Sequence, residues 1–336
     1  MLYFPHMKEY DFLAVGDITT DAFIELKDAE VNCDIDKDNC RISMRFGDKI
    51  PYRDVTLVPA VGNSPNAAVS AARLGLSSAL VSDIGNDSFG KEDVDTLKKN
   101  GVATEFVRTH PGMKSNYHFV LLFNAERTIL VKHREYPYSF PDVPAPKWMY
   151  LSSLGEHSLP YHEEIAQYLR NNPSVKLAFQ PGTFQIKIGY EPLGDIYART
   201  EIFFCNKEEA RRILKNENGG IKDLLSGVRA LGPKIAVITD GPKGAYADDG
   251  TDMWHMPMYP DPAPPVDRTG AGDSFASTVT AALALGKDLP EALSWGPVNS
   301  MSVVQHIGAQ EGLLSREELE RLLSGAPDNF RPSRIA

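Results

Sequence analysis

Cysteine is scarce in this chain. Cys33, Cys40 and Cys205 are the only three among 336 residues. An odd, low count speaks against a disulfide framework and for a reducing compartment. Basic charge is short as well: 35 Lys and Arg stand against 45 Asp and Glu, for a formal net charge of −10. That balance argues against non-specific adhesion to nucleic acid or acidic membranes. No apolar run approaches the roughly 18 residues of a membrane helix. The opening MLYFPHMKEYDFLAVG lacks the basic-then-apolar order and the cleavage pattern of a secretion signal. A cytoplasmic setting is expected. No internal repeat or long low-complexity tract occurs.

What is present is a globular composition, 42% apolar and 24% charged. The length suits one large α/β domain, taken as residues 1–336. YDFLAVG (10–16) reads as a buried strand and SPNAAVSAARLG (64–75) as a helix, with Ser64 as N-cap, Pro65 in the first turn and Gly75 closing it. SALVSDIG, WMYLSS, VKLAFQ, EIFFCN and KIAVITDG are further short apolar runs separated by helical stretches. Strands alternating with helices predict a largely parallel sheet covered on both faces. Residues 23–60 and 116–134 break the rhythm and read as a β excursion, a lid. Helices are predicted over 272–285, 289–305 and 315–323, and the final APDNFRPSRIA is expected to be loosely held.

Four near-motifs are set aside. GNDSFGKE (85–92) lacks the Ser or Thr of a P-loop, because Glu92 stands there; a turn before a helix is preferred. Asp34, Asp36 and Asp38 begin like a calcium loop, but Asn39 and Arg45 occupy the positions that need Gly and Glu. Cys33 and Cys40 have no second pair for zinc. TGAGDSF carries Phe275 where a dinucleotide fingerprint needs its third glycine.

DRTGAGDSF (267–275) carries the chemistry. Gly270, Ala271 and Gly272 let backbone approach a ligand, and DSFASTVTAALALG continues as good helix material. The N–H groups at such a helix start converge on an anion. Asp273 puts a negative charge beside that cradle. It either complements the helix dipole, worth roughly 0.3–1 kcal/mol, or faces a neutral hydroxyl and takes its proton as the oxygen attacks phosphorus.

The stretch resembles the second signature of the ribokinase-like (PfkB) family of carbohydrate and nucleoside kinases, and the likeness runs through most of the chain in family order. GDITTD is similar to the first substrate strand, which places Asp21 on substrate hydroxyls; a turn aspartate is the plainer reading. VGNSPNAAVSAARLG resembles the first signature, implying substrate contacts from Gly62, Asn63 and Asn66, although Val61 stands where a glycine is frequent. CNKEEA resembles the N-x-x-E element near Mg²⁺ and phosphate through Asn206 and Glu209, and the same pair spells a capping box. TDGPKG resembles the nucleotide turn, with Thr239, Gly241 and Gly244 along phosphates or ribose. VNSMSVVQHIGAQ resembles the segment bordering adenine, with Asn299 as a contact or a core asparagine. The family also implies a monovalent cation, K⁺, at Asp267 and the Thr269 carbonyl. Arg268 reaches a phosphate or lies on the surface.

The resemblance implies a ribokinase-like three-layer α/β/α fold with a mostly parallel central sheet and a small β lid. It implies an ATP- and Mg²⁺-dependent kinase acting on an alcohol group of a small sugar, with Asp273 as general base and residues 270–272 stabilising the transferring group. A nucleoside kinase is the alternative, its base slot built from Tyr117, Phe119, Leu121 and Phe123 unless these merely pack. A non-catalytic nucleotide- or sugar-binding regulator is the alternative of a different class. QPGTFQ (180–185) reaches the pocket or forms a plain turn. An exposed β lid also suits edge-to-edge pairing into a homodimer.

Overall fold

The computed structural model describes residues 9–33, 40–123 and 126–335. Its main sheet is assembled from short apolar runs. Across the sheet, Val107–His110, Ser78–Gly85, Phe12–Val15, Trp148–Leu151, Lys176–Phe179, Thr200–Asn206 and Ile235–Thr239 lie side by side and parallel. Phe12 pairs with Trp148 on one side and Ser78 on the other. Such strands are covered on both faces, so their sequences read as unbroken apolar runs. Phe12 and Ala14 point into one core, Leu13 and Val15 into the other. The first core takes in the helices Asn63–Arg73, Ala271–Ala284 and Leu289–Val303. The second takes in Leu159–Asn171, Lys207–Leu214 and Ile221–Ala230. The result is a three-layer α/β/α arrangement, as expected.

Beyond Ile235–Thr239 the sheet continues antiparallel through Ala245–Asp248, Met253–Met256 and Ser333–Arg334. The sequence reading did not foresee this extension. It also corrects the expectation of a loose tail: Ser333 pairs with His255, and the Phe330 ring packs edge-on against Tyr259, 4.9 Å between centroids.

The β excursion forms a separate four-stranded sheet in the order Tyr52–Val61, Thr19–Leu26, Tyr117–Phe123, Glu126–Leu130. Asn124 and Ala125, between the last two strands in sequence, lie outside the described residues. A hairpin of Glu30–Asn32 and Arg41–Ser43 hangs from this lid. Asn32 pairs with Arg41, which brings Cys33 and Cys40 face to face, and they form a disulfide. Strand register makes this pair, and seven-residue spacing alone gives no hint of it, so the reading of the low cysteine count against disulfides is corrected for this pair. The calcium-loop-like residues Asp34, Asp36, Asp38 and Asn39 lie outside the described residues. Cys205 is free and buried.

Local punctuation differs in one place. The helix expected to start at Ser64 starts at Asn63, with Gly62 as its cap at φ +123°. Ser64 instead donates its hydroxyl to the Val15 carbonyl at 2.7 Å and staples the helix to the central strand. A side chain at position 62 would meet the Asp17 carbonyl oxygen, 2.7 Å from its Cβ. GNDSFGKE forms the expected turn into a helix, with the Asp87 carboxylate capping Ser88–Lys99 by accepting from the Gly90 N–H. No helix among the described residues is long and apolar enough to cross a membrane.

Candidate functional site

The C-terminal ends of the parallel strands point into a cleft of about 610 Å³ roofed by the lid. Open α/β sheets bind ligands at this edge. Val15 leads to Asp17, Leu151 to Ser153, Phe179 to Gln180 and Phe204 to Asn206, and all four ends line the cleft. A second chamber of about 440 Å³ adjoins it, walled by Met258, Tyr259, Pro265, Met301 and Val304. Thr239, Gly241 and Gly244 line this apolar chamber, and Thr239 also faces the first.

Asp273 lines the first cleft, next to Gly272, which walls both chambers. It lies in the first turn of Ala271–Ala284, and the first intrahelical bond runs from the Ser274 N–H to the Gly270 carbonyl at 2.8 Å. The Ala271 N–H reaches the Arg268 carbonyl at 3.4 Å, and the N–H groups between it and Ser274 have no helical acceptor and suit an anion. Gly270 has φ +79°, and a Cβ there would fall 2.3 Å from that of Ala309. Gly272 differs: a Cβ would enter open space, its nearest neighbour Gln180 Nε2 at 4.0 Å.

Three amides hold the carboxylate. Asn63 Nδ2 and Gln180 Nε2 donate to Oδ1 at 2.8 and 3.1 Å, and Asn66 Nδ2 donates to Oδ2 at 2.9 Å. The Tyr150 hydroxyl donates to Gln180 Oε1, which fixes the amide end turned to Asp273. Burial raises the Asp273 pKa above the usual carboxylate range, and the three amide donors oppose it. The expected substrate ligands Asn63 and Asn66 thus orient this carboxylate. Gly62 and Asp21 line the same cleft.

Other residues at the lid end were not legible in advance. Asp17 accepts from the Tyr138 hydroxyl at 2.8 Å and pairs with His133 Nδ1 at 2.9 Å. Asp21 has His118 Nδ1 at 3.4 Å. Arg127 also faces this space. The available signal was register: His118 lies opposite Asp21, Arg127 opposite Leu122, and odd and even positions of a strand face opposite sides. The same rule removes the proposed base slot. Phe119 lies opposite Ala22 and Leu121 opposite Ile24, on the outer face. Tyr117 packs at a tilt against Phe89, 4.7 Å between centroids, and Phe119 is 44% exposed on the far side of the lid. QPGTFQ does reach the cleft, through Gln180, Thr183 and Phe184.

Asn206 and Glu209 border the cleft while forming a reciprocal capping box. Asn206 Oδ1 accepts the Glu209 N–H at 2.9 Å, and Glu209 Oε2 accepts the Asn206 N–H at 2.8 Å. Burial raises the Glu209 pKa, opposed by the Asn206 N–H, and the Asp273 charge adds to the rise. Asn299 is corrected. It is fully buried, donates to Thr278 Oγ1 at 2.7 Å and accepts the Leu314 N–H at 2.9 Å, so it is a core asparagine outside either chamber. The GAQ turn also lies elsewhere than expected: Ala309 lines the first cleft, not the apolar chamber. Asp267 ties the cradle together, accepting from the Thr269 N–H and hydroxyl at 2.9 and 2.7 Å and from the Gly308 N–H at 2.9 Å.

A family model, pfkB family carbohydrate kinase, matches residues 30–316. The chain belongs to this family. This pfkB kinase is 27% identical to the ribokinase of Bacillus subtilis over 269 residues, 78% of this chain and 87% of the relative. Its fold matches Arabidopsis thaliana ribokinase, solved with ribose and ATP, at a TM-score of 0.78 and 19% identity, covering 94% of this chain and 99% of that one. An E. coli protein described as a ribokinase II, solved with ATP and Mg²⁺, matches at a TM-score of 0.74 and 17% identity, covering 94% and 99%. The chain is accordingly an ATP-dependent carbohydrate kinase of the pfkB family.

Proposed function

We propose that this kinase moves the terminal phosphoryl group of MgATP to a hydroxymethyl or similar alcohol of a small sugar, with Asp273 as general base. The observation that carries the reading is the place of Asp273. An oriented carboxylate lines the lid-roofed cleft, one residue from an open glycine at a helix start that also walls the apolar chamber. The nucleotide fits the second chamber, its base against Tyr259, Met301 and Val304 and its phosphates along Thr239, Gly241 and Gly244 towards the cradle. Asp21, Gly62 and the Asp17–His133 pair are suited to sugar hydroxyls, with Asn63 free to trade its bond between Asp273 and substrate and Asn66 beside it. Asp273 takes the hydroxyl proton, and the N–H groups of 270–272 stabilise charge on the transferring group.

Mg²⁺ keeps most of its waters and needs few protein carboxylates. Glu209 Oε1 and the Asn206 edge of the cleft suit an outer contact of that kind, with one Glu209 oxygen engaged in the cap. A monovalent cation at Asp267 and the Thr269 carbonyl belongs to the same proposal and is tested by titrating K⁺ against Na⁺. A sugar is favoured over a nucleoside because the expected base slot of Tyr117, Phe119, Leu121 and Phe123 faces away from the cleft, where Phe23 and Phe184 are aromatic walls.

A second copy of this chain is the proposed cover for the outer lid face, where Val55, Leu57, Phe119 and Leu130 are each 42–53% exposed. Light scattering of wild type and Phe119→Asp tests it. ADP release over pentoses, hexoses, keto-acids and nucleosides, with Asp273→Asn as control, tests the function. Release that no acceptor stimulates leaves the regulator reading in its place.

A further inference from the structure

The lid joins the body at a fault in its own register. Thr19 pairs with Val61 but Asp21 pairs with Val58, so the Tyr52–Val61 strand carries one extra residue there. This is a β-bulge. Ala60 sits in it at φ +59°, in the left-handed region that a side chain disfavours. The group that meets this bulge is Asp93 of the helix Ser88–Lys99. Its Oδ1 accepts from the Ala60 N–H at 2.7 Å and from the Thr20 hydroxyl, on the facing strand, at 2.9 Å. Asp93 is fully buried, and its Oδ2 has no partner among the described residues. Burial pushes the carboxyl up to about 7. A half-partnered carboxyl in a core is unfavourable, and an apolar side chain suits such a place better unless the contact itself matters.

The contact leads somewhere. The Ala60 carbonyl accepts from Gln310 Nε2 at 2.7 Å. The same Nε2 donates to Asn66 Oδ1 at 3.0 Å, which leaves the Asn66 Nδ2 end for Asp273 at 2.9 Å. With Oδ1 unengaged, the Asn66 amide is free to turn and present its oxygen to the carboxylate, a repulsive contact in place of a bond.

We propose that Asp93 is a positioning residue for phosphoryl transfer: by holding the bulge at Ala60, it keeps Gln310 and Asn66 aimed so that Asp273 is held for its reaction. The kinetic half rests on Asp273 as the base; the structural half does not.

The test compares Asp93→Asn, which keeps an acceptor oxygen, with Asp93→Leu, which fills the space without one. Two readouts are used: steady-state kinetics, and amide hydrogen exchange of residues 58–62. For Asp93→Leu we expect kcat to fall about 10–100-fold with the KM for ATP within about twofold, and the Ala60 amide to exchange at least about tenfold faster. Asp93→Asn should restore both to within about threefold of wild type. Gln310→Met interrupts the relay one step beyond Asp93 and leaves the bond from the Ala60 N–H to Asp93 in place. It should lower kcat similarly, and less than additively when combined with Asp93→Leu, and it serves alone if Asp93→Leu does not fold. Unchanged kcat in Gln310→Met, or Asp93→Asn as impaired as Asp93→Leu, overturns the proposal. Near-wild-type activity in Asp273→Asn overturns the base reading instead; exchange at Ala60 then still decides whether Asp93 holds the bulge.

Discussion

Asn66 donates to Asp273 across 2.9 Å, joining two helix starts 207 residues apart in the chain. Together with Asn63 and Gln180 it points the carboxylate into the cleft. Asp273→Asn keeps the shape and removes the base. It should fold as wild type and lose about 10²–10⁴-fold in kcat. Acceptor-dependent ADP release measures this, and an activity within about threefold of wild type would reject the assignment.

The two cradle glycines should respond differently to alanine. At Gly270 the added methyl collides with Ala309 and the φ of +79° is strained, so Gly270→Ala should lower thermal stability clearly. At Gly272 the methyl enters the cleft, and helix propensity favours alanine by about 1 kcal/mol. Gly272→Ala should therefore fold at least as well as wild type and still lose activity. Denaturation and kinetics on the pair separate a folding role from a phosphate-approach role.

Asn206 and Glu209 form a cap and border the cleft. Asn206→Ala should cost about 0.5–2 kcal/mol through the lost cap. Glu209→Gln keeps an oxygen for the Asn206 N–H, so stability should hold while the Mg²⁺ concentration for half-maximal rate rises. If Glu209→Gln leaves the Mg²⁺ titration unmoved, the pair is a cap and nothing more.

His162 gives a stability signature in acid. It is buried, its Nδ1 meets the Ser158 carbonyl at 2.7 Å, and its Nε2 meets Gln185 Nε2 at 3.0 Å. Burial lowers its pKa to about 4 from 6.5. The unfolded chain takes up a proton below about pH 6.5 and the folded chain only near about pH 4, so stability falls as pH drops through that window. Between about pH 7 and pH 5 the loss should be about 2 kcal/mol. Urea melts of wild type and His162→Gln at both pH values check it, the variant showing the flatter dependence. Gln185 caps the turn that carries Thr183 and Phe184 into the cleft, donating to the Ser152 carbonyl at 2.7 Å, so cleft shape should loosen together with stability.

Much of this was legible because it is local. Strand-length apolar runs give the sheet, and Gly-Ala-Gly-Asp before a helix-forming stretch gives the cradle. The Asn206–Glu209 spacing gives the cap whatever else the pair does. What failed needed partners distant in sequence. Asn299 looks like a ligand until Thr278 and Leu314 are seen to engage both ends of its amide. Tyr117, Phe119, Leu121 and Phe123 look like a slot until pairing with Thr19–Leu26 assigns them to the outer face. Asp17 ends a buried strand but gains meaning only when His133 and Tyr138 reach it from more than a hundred residues away. The Cys33–Cys40 bridge depends on a hairpin register that neither cysteine signals.

Thr239, Arg268, Gly272 and Phe275 are walls of both chambers. On the proposed placement of sugar and nucleotide, a single molecule with a polyol head and an adenosine tail needs only a short tether past Gly272 to occupy the two at once. Each half would hold the other at high local concentration, so two weak fragments could be joined into one tight, bivalent inhibitor.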